Sequence, residues 1–169
     1  MNKLKIVHLN AEYCDYLRKY DPRVPYNIKD KQRPFVGVLF NVGKCLYFAP
    51  LASPRPKHLK LRNNADLLKI DQGELGVINF NNMVPVYNQN IEYVNINDLE
   101  NIPIDQLAYV KLLRKQLRWL NRYDNRLYRK SKLLYSKYIN NTLNENIYKR
   151  CCDFPLLEEK CRIYNSDKN

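Results

Sequence analysis

The chain has 169 residues and a formal net charge of +12. That length suits one domain with a packed core, and no apolar run is long enough to span a bilayer. The charge excess calls for a polyanionic partner, either nucleic acid or an anionic membrane surface.

Several chemistries are poorly served by the composition. With four glycines there is no Gly-rich phosphate cradle. The two histidines, His8 and His58, stand in no metal-binding spacing, and the five cysteines fit no zinc template. Any catalysis is therefore expected to need no metal and no cofactor. The N-terminal residues lack the apolar stretch and cleavage site of a signal peptide, so a cytosolic protein with free, packed thiols is expected. Fourteen tyrosines are interleaved with basic residues. That mixture suits single-stranded RNA, although about two-thirds of such rings are expected to serve packing.

In chain order, Lys5–Leu9 predicts a strand, and Asn10 caps a helix over Ala11–Tyr20 that Asp21-Pro22 ends. Tyr13, Tyr16, Leu17 and Tyr20 share one face of it. Asp21–Pro34 is a proline-containing loop with Tyr26, Lys29, Lys31 and Arg33, open to a binding or a purely connecting role. Phe35–Phe40 and Lys44–Phe48 form a hairpin around a turn at Asn41–Gly43.

The stretch that follows, Phe48-Ala-Pro-Leu-Ala-Ser-Pro-Arg-Pro-Lys-His58, is the focus of the chain. Its three prolines predict an extended, helix-free loop. It gathers a hydroxyl (Ser53), a guanidinium (Arg55), an ammonium (Lys57) and an imidazole (His58). Arg and Lys hold phosphate oxygens, and His has the pKa range for proton transfer. On spacing alone a basic surface loop is the simpler reading, and the rest of the chain shifts the balance. The alternating basic run Lys57–Arg62, with Lys60, would line a groove.

Short strands at Leu67–Ile70, Leu75–Phe80, Met83–Tyr87 and Ile91–Val94 predict a small, strongly bent sheet or barrel, with Pro85 at an edge or bulge. A helical turn is expected at Asn97–Asn101. A long helical pattern covers Gln106–Ile139, with a break near Asn121–Asn125. Its apolar stripe is Leu107, Val110, Leu113, Leu117, Leu120 and Leu127. The stretch 105–139 holds ten Lys and Arg against two Asp. A one-sign stripe destabilises a helix by a few tenths of a kcal/mol per like pair, and a phosphate backbone compensates it. Lys111, Lys115, Arg118 and Arg122 are thus candidate RNA contacts, and Trp119 beside them is either a core anchor or a stacking surface. Short helices are expected at Asn144–Arg150 and Asp153–Tyr164, and the tail Asn165–Asn169 should fray.

The order Pro-Phe-Val-Gly-Val, the Ser53 block, Gly-Val-Ile-Asn-Phe-Asn-Asn-Met-Val-Pro-Val, Lys-Gln-Leu-Arg-Trp-Leu and Leu-Leu-Glu-Glu-Lys-Cys-Arg resembles the ToxN/AbiQ/CptN toxins of type III toxin–antitoxin systems, over about Lys5–Tyr164. The resemblance implies an α+β fold in a single domain over 1–169. A strongly bent antiparallel sheet related to the Kid/MazF toxins would occupy about 1–95, and a basic helical region about 97–164.

It also implies a metal-independent endoribonuclease cutting adenine-rich cellular or phage RNA to 2′,3′-cyclic phosphate and 5′-hydroxyl ends. The expected inhibitor is a repeat RNA processed into pseudoknots and assembled with the toxin into closed RNA–protein rings, in a system that aborts phage infection.

The resemblance sets Ser53 on the central serine of the family and Arg55 on a position that is usually Lys. Tyr26 and Arg33 are the nearest matches to a Tyr and a Lys of the preceding loop. Tyr13 falls on a tyrosine facing the site, and Gln116 lies in the matched RNA-contacting block. Ala52 stands where the family has Ser or Thr, which implies attenuated cleavage. His58 and Tyr26 are the expected proton carriers. The rivals are an RNA-binding or regulatory module without turnover and, more remotely, a membrane-surface protein.

Overall fold

A computed structural model describes residues 3–27 and 32–168. Strand β1 (Lys5–Leu9) buries Ile6, Val7 and Leu9. The Asn10 side chain accepts the Tyr13 N–H at 3.1 Å and starts helix α1 (Ala11–Arg18), which ends two residues earlier than its pattern suggested. Tyr13 and Leu17 are buried, whereas Tyr20 is exposed. Strand β2 (Phe35–Gly37) is shorter than the predicted Phe35–Phe40. The chain turns at Gly43, with φ +57, because Asn41 and Val42 form strand β3 (Asn41–Val42) opposite Leu46 and Cys45.

Strand β4 (Cys45–Ala52) runs through the middle of the fold and into the proline-rich stretch. Its first half lies between β3 and β7 (Val84–Val86), and its second half between β2 and β6 (Val77–Asn79). Pro50 has no N–H to give a ladder. It stands where the second neighbour of β4 passes from β7, whose pairing reaches Phe48, to β6, whose pairing starts at Leu51. Beyond β4, Pro56 opens the short helix α2 (Pro56–Lys60). The expectation that three prolines forbid a helix fails here. Proline is tolerated at the first helical position, where its missing N–H would be unpaired anyway.

With β5 (Leu67–Lys69) and β8 (Ile91–Tyr93) the antiparallel sheet has eight strands, in the order β5-β6-β4-β2-β1-β8 with β3 and β7 paired to β4. It is an open sheet and is not strongly curled, which corrects the expected strong bend or barrel. Six of its strands have three residues or fewer, too little length for twist to accumulate into closure. Pro85 lies in β7, whose pairing is to β4, as expected of an edge.

Helix α3 (Ile104–Arg122) and α4 (Asp124–Ile139) are divided at Tyr123, inside the predicted break. No helix is assigned at Asn97–Asn101, where Asn95 and Asp98 side chains accept backbone N–H groups in bends. Asn144 caps α5 (Glu145–Arg150) and Asp153 caps α6 (Phe154–Ser166).

Buried faces of α3, α4 and α6 join the sheet in one core. Two polar pairings fix α6 there. Glu158 accepts from the hydroxyls of Tyr47 (2.6 Å) and Tyr135 (2.7 Å). Asn165 and Asn90 exchange amide hydrogen bonds at 3.0 Å each way. Asn165 is therefore a buried anchor, not part of a frayed tail. All five cysteines are buried thiols. Among the described residues no helix is long and apolar enough to cross a membrane.

Candidate active site

Ser53 leaves the end of β4, and Ser53, Arg55, Lys57 and Lys60 are all exposed. His58 is not; it is 3% exposed. The Arg55 N–H donates to His58 Nδ1 at 3.1 Å, and the His58 N–H donates to the Arg55 carbonyl at 2.9 Å. Burial, then the charges of Lys57 and Arg55, hold the His58 pKa below its ordinary value. The imidazole is thus a neutral helix cap, and its assignment as a proton carrier is corrected. The alternating run Lys57–Arg62 is likewise not an extended groove wall, because its first four residues form most of α2.

Two glycines hold this loop against the turn Ile70–Gly73. A Cβ at Gly76, whose φ is +97, would lie 1.9 Å from the Ala52 carbonyl oxygen. One at Gly73, with φ +98, would lie 2.7 Å from the His58 carbonyl oxygen. Only glycine admits both the left-handed backbone and these approaches.

The preceding loop reaches the same place. The Leu51 N–H donates to the Pro34 carbonyl at 2.9 Å, which sets Arg33 beside the end of β4. Arg33 is half-buried, and its Nε has no hydrogen-bond partner among the described residues. Burial, then the positive charge of Arg55, lowers its pKa. The positive charge of Arg55 thus reaches Arg33. Buried Asn27 closes the loop at its base: its Nδ2 donates to the Leu9 carbonyl at 2.8 Å and its Oδ1 accepts the Arg33 N–H at 3.0 Å. Tyr26 is 60% exposed, with the Arg18 guanidinium carbon 4.0 Å from its ring centroid. Lys29 and Lys31 lie outside the described residues.

Tyr13 is fully buried. Its hydroxyl donates to the Pro85 carbonyl at 2.5 Å, and its ring lies 5.0 Å from that of Tyr164. The core reading of this tyrosine holds, and its placement at the site is corrected: it has no surface to offer RNA. Gln116 is also buried, with its Nε2 donating to the Leu75 carbonyl at 2.9 Å. It joins α3 to the segment carrying Gly73 and Gly76, so its assignment as an RNA contact is corrected to a support between site and helix.

Lys111, Lys115, Arg118 and Arg122 are exposed on α3, and Trp119 is half-buried among them. Trp119 borders two clefts. One, of about 470 Å³, is lined by Arg62, Lys69, Gln72, Tyr123 and Arg126, among others. The other, of about 340 Å³, is lined by Lys115, Arg118 and Arg122. The Ile70–Gly73 turn is common to both the clefts and the Ser53 loop, so loop and groove share one support.

Sequence reasoning placed Arg62 in a groove-lining run, and it does line the larger cleft; it missed Lys69, Asp71, Gln72 and Arg126 as groove residues. Arg126 stood in the charged stripe, but nothing in the sequence brought the turn at 71–72 to face α3.

Known proteins share both the sequence and the fold of this chain. A family model described as toxin ToxN of a type III toxin–antitoxin system matches residues 5–162. The endoribonuclease ToxN of Bacillus thuringiensis subsp. kurstaki is 35% identical over 162 residues, covering 92% of this chain and 81% of that protein. The solved structure of AbiQ, a lactococcal anti-phage endoribonuclease of a type III system, superposes with a TM-score of 0.82 at 26% identity, covering 98% of this chain and 99% of that one. A further solved structure, from a type III system in which a non-coding RNA pseudoknot selectively inhibits the toxin, gives a TM-score of 0.79 at 32% identity, with 97% and 99% covered. The chain belongs to the ToxN family of type III toxin–antitoxin systems, a family of endoribonucleases.

Proposed function

We propose that this chain is a single-domain, cytosolic ribonuclease toxin that cuts adenine-rich cellular or phage RNA, aborting phage infection. An RNA pseudoknot, processed from a repeat transcript and assembled with the toxin in a closed RNA–protein ring, restrains it. The relatives support this reading: AbiQ is an anti-phage endoribonuclease, and a solved relative is inhibited by an RNA pseudoknot. A relation of the sheet to that of the Kid/MazF toxins belongs to the same reading.

The observation that carries the chemistry is the Arg33–Arg55 pair beside Ser53. Like charges close to each other, one of them half-buried with an Nε that has no partner among the described residues, are stabilised by an anion between them. A phosphodiester supplies it. The 2′-hydroxyl attacks the neighbouring phosphorus, the bond to the 5′-oxygen breaks, and the 2′-proton passes to a base while the leaving oxygen gains one.

Arg55 and Arg33 stabilise charge on the phosphorane, Lys57 adds to the local field, and Ser53 donates a hydrogen bond to a non-bridging oxygen. Arginine is always protonated and cannot serve as the base, so proton transfer falls to exposed Tyr26 or to a lysine of the 28–31 segment. Ala52, in the place of a hydroxyl, gives a slower enzyme.

The test is cleavage of cellular RNA by wild type, Ser53→Ala and Arg55→Ala, with identification of the product ends. Cyclic phosphate and 5′-hydroxyl ends from wild type, lost in both variants, are expected. Full cleavage by both variants places the chemistry elsewhere, and tight RNA binding without turnover in wild type makes the chain a binding module.

A further inference from the structure

The two basic clefts flanking α3 have two residues in common, Asp71 and Trp119. Together they form the saddle between the clefts. On one side stand Arg62, Lys69 and Arg126, and on the other Lys115, Arg118 and Arg122. A nucleic-acid strand crossing the saddle lays phosphates in cationic surroundings on both sides and brings a base over it.

Trp119 is built as a platform. It is half-buried, and its ring centroid lies 4.7 Å from that of Tyr123, which is itself 39% exposed. Stacking of a base on such a surface contributes roughly 1–3 kcal/mol and is indifferent to base identity.

Asp71 is the residue out of place. Surrounded by cations that line the same clefts, it forms no ion pair among the described residues. In a groove that merely held phosphates, a carboxylate would weaken binding. Its backbone is also unusual. Asp71 and Gln72 adopt left-handed conformations in succession, with φ 48 and φ 55, which cost about 1 kcal/mol or more each for residues with a Cβ. The turn is kept in this shape by Gly73 against the His58 backbone and by the Leu75 carbonyl against Gln116. An acceptor-only group presented to a base edge selects a donor there.

We propose that Trp119 and Asp71 form a nucleobase subsite of the RNA groove, with Trp119 stacking on the base and Asp71 accepting a hydrogen bond from an exocyclic amino group. The base is adenine, cytosine or guanine, each of which carries an exocyclic amino group; uracil carries none. The inference rests on the endoribonuclease reading and adds to it the residue that selects the base.

Trp119 is the single tryptophan of the chain, so its fluorescence reports on the saddle directly. Full-length protein is titrated with end-labelled 2′-O-methyl oligomers of adenine, cytosine and uracil, which bind without being cut. Fluorescence and label anisotropy are recorded together. Adenine and cytosine oligomers should quench Trp119 and bind roughly tenfold more tightly than uracil. Asp71→Gly keeps the left-handed backbone without strain, so folding is preserved. It should bring the three affinities within about threefold of one another while quenching persists, since stacking does not depend on the carboxylate.

Binding seen by anisotropy without quenching overturns the subsite, and so does unchanged base preference in Asp71→Gly. Cleavage of unmodified RNA, run alongside, separates the two failures. Intact cleavage with no quenching overturns the subsite alone; no cleavage and no oligomer binding overturns the ribonuclease reading as well.

Discussion

Arg55 and His58 hold each other twice, through the Arg55 N–H on His58 Nδ1 at 3.1 Å and the His58 N–H on the Arg55 carbonyl at 2.9 Å. The imidazole sets the backbone from which the Arg55 guanidinium projects. Its accepting nitrogen has no free lone pair once protonated, so the first of these bonds exists only in the neutral form.

The pH dependence follows from that bond. Burial, with Lys57 and Arg55 adding, lowers the folded-state pKa of His58. As pH falls below the unfolded value of about 6.5, the unfolded chain binds the proton first, and stability drops until the folded-state pKa is passed. His58→Gln keeps an acceptor at the third helical position but does not titrate. It should match wild type in urea unfolding at neutral pH and lose less stability on acidification. His8 titrates in both proteins and cancels in the comparison. His58→Ala should lose about 1 kcal/mol or more at neutral pH. Equal acid losses in wild type and His58→Gln would show that the cap is not the sensor.

Asn27 clasps the loop between β1 and Arg33. Asn27→Ala strands the Leu9 carbonyl and the Arg33 N–H, and should destabilise by about 1–3 kcal/mol. Cleavage should fall further than the decrease in folded protein explains, because the Arg33 backbone is no longer held beside the end of β4. Urea unfolding paired with initial rates at a temperature where the variant is folded measures both. A variant with wild-type rates would remove Arg33 from the chemistry.

Gly76 and Gly43 both have positive φ, but they differ in what surrounds them. Gly76→Ala drives a methyl into the Ala52 carbonyl at 1.9 Å, whereas a Cβ at Gly43 meets nothing within 4 Å. Gly43→Ala should cost about 1 kcal/mol, the conformational term alone. Gly76→Ala should cost well over 2 kcal/mol and displace Ser53 with it. Thermal midpoints of the two variants, with cleavage rates for the folded fraction, test the contrast.

Arg118 and Arg122 line the α3 cleft. Reversing both to Glu should weaken RNA binding and flatten its dependence on salt, by about one unit of slope for each phosphate that the protein no longer neutralises. Affinity measured across a salt series decides it. An unchanged slope takes this face out of the interface.

The sequence by itself determined the elements whose signals are local. Asn10, Asn144 and Asp153 each stand at the start of a helix expected there, since an N-cap needs only its own side chain and the next three residues. The apolar stripe of α3 and α4 follows from helical spacing in the same way, and the break at Tyr123 falls inside the expected run Asn121–Asn125. Family membership was legible too, because the Ser53 block and the Met83–Pro85 block are contiguous in the chain.

Tertiary structure decided what depends on neighbours distant in sequence. Tyr13 is core because the Pro85 carbonyl, seventy-two residues away, meets its hydroxyl. His58 is a cap because α2 forms and buries it, where the prolines alone argued for an open loop. The sheet stays open because β4 shares its two edges among four short partners, a choice made by packing and not by any one strand. The saddle of Asp71 and Trp119 exists only where Gly73, Gly76 and Gln116 bring a strained turn against α3. Backbone approach and burial are properties of pairs of segments, and no single stretch of sequence carries them.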